Sequence, residues 1–225
     1  MSASAPRWRL PVLLGIAAAL CSGCNLMSLP YFLCPWAEYK QHPPLLCKLE
    51  PREKGGDAKV LLVAHAALTS ADFVNVEREL TRQLGRQLQD YYKQRKEKVT
   101  IVAPRQVERY QVEHPDWKES LEDMGKHFSA DYVVYLEINS MSLYEHGSNT
   151  LYRGRAEINV SVFNMHEPDE DPISRDLEFA YPSNPIPVDN STQPTTFRQA
   201  FLVDLGKKLA RCFTPFPFSE GFAQE

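Results

Sequence analysis

Between residues 59 and 181 the hydrophobic period of the chain runs from continuous to 3.6, back to continuous, and finally to two, an order few folds accommodate. Lys59-Val60-Leu61-Leu62-Val63-Ala64 is a short unbroken apolar run, the pattern of a buried strand. Phe73, Val76, Leu80, Leu84, Leu88 and Tyr91 then recur at steps of three and four, while Arg78, Arg82, Arg86 and Lys93 fall off that stripe. This predicts an amphipathic helix, capped by Thr69 or Ser70. Lys98 to Ala103 (KVTIVA) is a second apolar strand, after which Pro104 opens a short helical turn through Gln106, Val107 and Tyr110. A cap signal at Pro115-Asp116 precedes Trp117, Leu121, Met124 and Phe128, a second helix. Asp131 to Leu143 reads as a long strand, with Glu145 to Asn149 as its turn. From Leu151 to Met165 the alternation is clean: Ala156, Ile158, Val160 and Val162 on one face, Arg155, Glu157, Asn159 and Ser161 on the other. That strand belongs to a sheet with one covered face. An acidic turn, Glu167 to Asp171, leads to a return strand through Leu177, Phe179 and Tyr181, and a polar loop follows to Thr195. Phe197, Phe201, Leu205 and Leu209, four apart, mark a last helix from about Thr196 to Phe213, with Arg198, Lys207 and Lys208 outward.

Helices interrupt the early strands and hairpins join the later ones. The expected fold is therefore an α/β (α+β) sandwich, a mixed sheet of about five strands packed on three helices in the order βαβαβββα.

The amino terminus is of a different kind. Arg7 and Arg9 precede the apolar stretch Leu10 to Leu20, too short to span a bilayer comfortably, so residues 1–23 read as a signal peptide. Cys21-Ser22-Gly23-Cys24 resembles the lipobox of bacterial lipoproteins, although Cys21 stands where that motif usually has Leu. The resemblance implies that Cys24 receives diacylglycerol and becomes the mature terminus; the alternative is an ordinary signal peptide cut near Gly23. Each buried acyl methylene is worth roughly 0.8 kcal/mol, so two or three chains anchor durably. Asn25 after the cysteine, rather than Asp, favours an outer membrane, facing the periplasm. Residues 24–57 form a Pro-rich tether (Pro30, Pro35, Pro43, Pro44, Pro51), parts of which are expected to lie against the domain; 58–213 are the domain and 214–225 a tail.

Removing Arg7 and Arg9 from the 25 basic side chains leaves 23 against 29 acidic ones, a balance that argues against nucleic-acid binding. Cys34, Cys47 and Cys212 remain in a compartment that permits disulfides. Three thiols allow one internal bridge; Cys34 to Cys47 is the possible pair that closes a short loop, and a reduced trio is the alternative. No paired CxxC or histidine cluster suggests zinc.

The sequence assembles no catalytic constellation. Its six histidines are scattered, without an HExxH, and no serine lies in a GxSxG elbow. His65, just past the first strand, reads as a strand-end polar residue in a place where loops often carry function. Glu167, Asp169, Glu170 and Asp171 form a solvated turn without the Gly and distal Glu of a calcium loop. Arg78, Arg82, Arg86, Arg95 and Lys96 read as the wet side of the first helix, with anionic lipid or an acidic partner as the functional alternative. Gly154, inside a strand, marks a bulge or a close backbone approach. No catalytic, cofactor or metal residue is assigned.

With that order in view, residues 59–213 resemble the envelope group that includes the curli-export lipoprotein CsgG, the amino-terminal domain of TolB and the penicillin-binding-protein activator LpoB. The likeness rests on KVTIVAPRQVERY, on SADYVVYLEI, and on the hairpin RGRAEINVSVFNM with its return strand. Ser129-Ala130-Asp131 is its sharpest piece, where a small residue, Ala and Asp end a helix and launch the central strand. The loops are too short or polar for membrane-crossing hairpins, so the resemblance implies the soluble domain and no pore. It implies a non-enzymatic lipoprotein that binds another envelope protein; the alternatives are a subunit of a homo-oligomeric secretion assembly and, third, an envelope hydrolase.

Overall fold

The first two apolar runs become neighbouring parallel strands; the first is buried on both faces, whereas the second, at the sheet edge, alternates exposed and half-buried residues. The computed structural model describes residues 41–51, 56–67, 71–188 and 193–217. Strands β2 (Asp57–Ala66), β3 (Lys98–Ile101), β4 (Tyr132–Tyr144), β5 (Leu151–Asn164) and β6 (Ile173–Pro187) form one sheet in the order β3-β2-β4-β5-β6. β2 is parallel to β3 and to β4; β4, β5 and β6 form an antiparallel meander. The fold is therefore the expected mixed sheet with helices. A further two-stranded ribbon pairs β1 (Gln41–His42) with β7 (Phe216–Pro217).

Helices α1 (Val76–Gln94) and α4 (Pro194–Ala210) cover one face of the sheet, α2 (Pro104–Glu113) and α3 (Leu121–His127) part of the other. On α1 the buried stripe is Val76, Leu80, Leu84, Leu88 and Tyr92. Tyr92 replaces the expected Tyr91 because four residues, not three, separate Leu88 from the next position on that face. Thr69 and Ser70 lie outside the described residues. The helix starts instead after a 3-10 turn (Ala71–Phe73), with Asn75 in the left-handed region (φ 61°). The turn expected after Pro104 continues into ten residues, held by Val107 and Tyr110 against the second core.

Asp131 explains the helix-to-strand junction. Ser129 (φ 47°) ends the α3 turn in the left-handed region. Asp131 Oδ2 then accepts from Lys59 N at 2.7 Å, and Asp131 N donates to Lys59 O at 2.7 Å. The two parallel strands start in register because one residue grips both main-chain groups of its neighbour.

Ala156, Ile158, Val160 and Val162 are buried beneath α1 and α4, as their alternation requires. Gly154 shares their face, where a Cβ would stand 2.5 Å from the Phe201 ring, so the glycine marks a close approach. The segment expected to be a loop from Ser183 continues β6 to Pro187, since Tyr152 and Leu151 pair with Ile186 and Pro187. Pro182, Pro185 and Pro187 are tolerated because β6 is an edge strand.

Upstream of the sheet, Leu49 is buried in the main core, and Leu45, Leu46 and Cys47 donate main-chain hydrogen bonds to Arg211 and Cys212 carbonyls at 3.0–3.2 Å. Tyr92 Oη accepts from Leu49 N and donates to Phe213 O, both at 3.1 Å. The end of the tether and the end of α4 thus share one phenol. No helix of the described residues is long and apolar enough to cross a membrane.

Candidate functional site

β3 ends at Ile101, its register with β2 stopping at Val60. Beyond that point, no strand lies beside one edge of β2 among the described residues. Odd-numbered residues of β2 bond toward β4, as Lys59 O and Ala67 N do with Asp131 and Ile138, so even-numbered ones face the open edge. There Val60 O accepts from Val102 N, and Ala66 N donates to Glu77 Oε1 at 2.8 Å. Between these two contacts the main-chain groups of Leu62 and Ala64 pair with no other backbone among the described residues.

A cavity of about 300 Å³ lies along this edge, at the carboxyl ends of the parallel strands. Its floor is Leu62, Val63 and Ala64; the first turns of α1 (Asn75, Glu77, Arg78) and α2 (Pro104, Val107, Glu108) form its sides. Crevices of this kind arise where parallel strands end and their helices leave on opposite faces. Across the mouth, Arg78 forms a bidentate pair with Glu108 at 2.6 and 2.7 Å, which ties α1 to α2. Two exposed valines adjoin lining residues in the chain: Val74, 61% exposed, precedes Asn75, and Val112, 81% exposed, follows Gln111.

His65 stands at the inner end. Lys118 Nζ donates to His65 Nε2 at 2.7 Å, and Nδ1 lies 3.5 Å from Glu77 Oε1. Trp117 packs edge-on against both His65 and Tyr135, with centroids 6.3 Å apart in each case. Burial pushes the Tyr135 hydroxyl up to about 12, and the Glu137 and Glu77 carboxylates add to that shift. Tyr135 therefore keeps its proton throughout the physiological range. Lys118 and Glu77 flank His65 at its two ring nitrogens, and no hydroxyl or thiol hydrogen-bonds His65 among the described residues.

The other sequence candidates lie elsewhere. Arg78 is held by Glu108 and Arg95 lies over the Tyr91 ring at 4.9 Å, while Arg82, Arg86 and Lys96 are exposed. Glu167 accepts from Asn164 at 3.1 Å in the β5–β6 turn, and no group of three acidic, His or Cys side chains could hold a metal among the described residues. Cys24 and Cys34 are outside the described residues; Cys47 and Cys212 are free thiols, half-buried and buried. Sequence reasoning missed the groove. Lys118 and Trp117 belong to a 3-10 turn that only the chain's return brings beside His65, fifty-three residues earlier.

No family model matches the chain and no curated protein matches it. The likeness to the CsgG, TolB and LpoB group therefore rests on motifs and element order. Among solved structures, the chain is similar to the PelC dodecamer of Paraburkholderia phytofirmans (9% identity, 77% of this chain and 94% of that one, TM-score 0.39). It is also similar to hypothetical protein CT253 of Chlamydia trachomatis (12%, 70% and 98%, TM-score 0.43). Lipoprotein GNA1162 of Neisseria meningitidis is a third (11%, 70% and 99%, TM-score 0.38). At these scores the likenesses carry no functional argument.

Proposed function

We propose that this chain is a non-enzymatic lipoprotein of the cell envelope, anchored through Cys24, whose α/β domain binds an extended segment of another envelope protein in the groove beside β2. The unpaired edge of β2 at Leu62 and Ala64 carries this reading. A strand edge inside a cavity offers main-chain donors and acceptors to an incoming segment, the mode of strand addition. Val74, Val112 and Trp117 supply apolar contact around it, and the Arg78–Glu108 and Lys118–His65 pairs supply a polar border. The anchor rests on the lipobox-like Cys21 to Cys24 and on the preceding signal peptide. Asn25 after the cysteine supports an outer-membrane site facing the periplasm.

Crosslinking in cells followed by detergent extraction tests the binding. The wild-type chain is expected to bring down a discrete envelope protein, and Val112→Glu, at an 81% exposed position, to lose it with an unchanged melting temperature. Recovery of the partner at the wild-type level by both Val112→Glu and a Val74→Asp variant would refute the groove as the binding surface. Cys24→Ala should move the protein from the membrane to the soluble envelope fraction.

A homo-oligomeric reading has one observation in its favour. Among the described residues, the face of β4 to β6 turned away from α1 and α4 presents Glu137, Glu157, Asp176 and Glu178, with Arg155 among them, while Arg82 and Arg86 stand exposed on α1 on the other side of the sheet. Opposed charges on two different patches suit head-to-tail contact between copies. Sizing of the detergent-extracted protein separates this from a one-to-one complex.

A further inference from the structure

Two thiols distant in sequence meet where the tether joins the body. Leu46 N and Cys47 N both donate to the Cys212 carbonyl, at 3.0 and 3.2 Å, and Leu45 N donates to Arg211 O at 3.1 Å. Residues 45–47 therefore run alongside the end of α4, held by main-chain bonds. With N–Cα about 1.46 Å and the carbonyl carbon about 1.5 Å from its Cα, one such bond holds the two Cα atoms within roughly 7 Å of each other. Disulfides span Cα separations of about 4.4–6.8 Å. Cys212 is fully buried and Cys47 packs against the same core, so both side chains turn inward, into one cluster.

We propose that Cys47 and Cys212 are a disulfide pair wherever the chain folds in an oxidising compartment, covalently fastening the anchor-proximal segment to the end of α4. Two S–H bonds break and one S–S bond forms. Two protons go to solvent, and two electrons reduce a disulfide oxidant, protein-bound or small, to its dithiol. The bridge closes nearly the whole folded domain into one loop, the arrangement in which a crosslink restricts the unfolded chain most. It leaves Cys34 without an internal partner.

Burial fixes when the bond forms. It pushes the Cys47 thiol up to about 11 and the Cys212 thiol up to about 12. Since only thiolate attacks a disulfide, the folded reduced protein exchanges slowly at neutral pH, and the pair is set during folding.

That the pair forms in cells rests on the export proposed above; the pairing itself does not. The full chain without its leader, refolded from denaturant with oxidised glutathione and mapped by non-reducing peptide mass spectrometry, tests the pairing alone. A Cys47–Cys212 crosslinked peptide is expected, retained in Cys34→Ala. A crosslink that joins Cys24 or Cys34 to Cys47 or Cys212, or four free thiols, would overturn the proposal. The same mapping on protein taken from cells with its thiols alkylated at lysis reads the compartment. If refolding gives the bridge and cells give free thiols, the export reading fails and the pairing stands. Reduction during unfolding should lower the melting temperature of the oxidised protein by roughly 5–15 °C, and should leave Cys47→Ser unmoved.

Discussion

Replacing Gly154 by alanine isolates the contact that positions α4 on the sheet. A Cβ there would stand 2.5 Å from Cγ and Cδ2 of Phe201, whereas carbon atoms pack best at about 3.5–4.0 Å, so ring or strand must move by roughly 1 Å. The ring has little room. Phe201 is 1% exposed and meets Phe73 edge-on at 6.2 Å. Overpacking of this kind costs about 1–3 kcal/mol, and the reduced freedom of the unfolded chain returns about 0.4–1 kcal/mol. The net expectation for Gly154→Ala is a loss of about 1–2 kcal/mol, read as a melting temperature lower by roughly 2–8 °C in circular dichroism. Phe201→Leu in the same chain makes space for the methyl group. The double variant should then be less destabilised than the sum of the two single ones by at least about 0.5 kcal/mol. A melting temperature at or above wild type, or strict additivity in the cycle, would refute the close-approach account.

Tyr92→Phe removes the one hydroxyl that serves both Leu49 N and Phe213 O. The unpaired groups are expected to cost about 1–3 kcal/mol, with faster proteolysis near residue 49; unchanged protection of the Leu49 amide in hydrogen exchange would count against it. Glu145 is held below the ordinary carboxylate range first by its hydrogen bond from Arg153 and then by that from the His146 amide. A lowered folded value means stabilisation present above the unfolded value near 4.5 and lost as pH falls through the folded one. Glu145→Gln should therefore flatten part of the acid limb of a urea-midpoint profile, and an unaltered limb would dismiss the clasp. At the alkaline end the sign reverses. Cys47 and Cys212 hold their protons more tightly folded than unfolded, so the reduced protein should lose stability as pH rises from about 9 toward 11 and 12, and a Cys47→Ser variant should lose less.

Most of the fold was legible because burial and period coincide along this chain. The alternation at residues 155–162 and the four-residue spacing from Phe197 to Leu209 each match the buried face that forms. The local patterns failed where a distant segment decides. Residues 183–187 look like a polar, proline-rich loop, yet they extend β6 because β5 reaches back to Leu151 and needs a partner. Tyr91 and Tyr92 are equivalent in composition, and the Phe213 carbonyl and Leu49 amide select the second. The groove was hidden for a plainer reason. It exists because β3 is four residues long and β2 is ten, a mismatch that no periodicity records.

The two ends of α1 divide the molecule's tasks. At its carboxyl end Tyr92 binds the last stretch of the tether, and the neighbouring end of α4 takes Leu45, Leu46 and Cys47. At its amino end Asn75, Glu77 and Arg78 line the groove. Tyr92 follows these residues by about 14 to 17 positions, so at 1.5 Å each the two lie roughly 21–26 Å apart. On the proposed anchoring through Cys24, which the docked segment follows in the chain, the groove should open away from the bilayer, toward whatever protein stands above it. A fluorophore at a Glu50→Cys site, beside the docked tether, should be quenched by a headgroup-attached quencher in vesicles carrying the lipidated protein. The same label at Val112→Cys should be quenched several-fold less. Equal quenching at the two sites would mean that the docked tether does not set the orientation, and the groove would lose its claim to face outward.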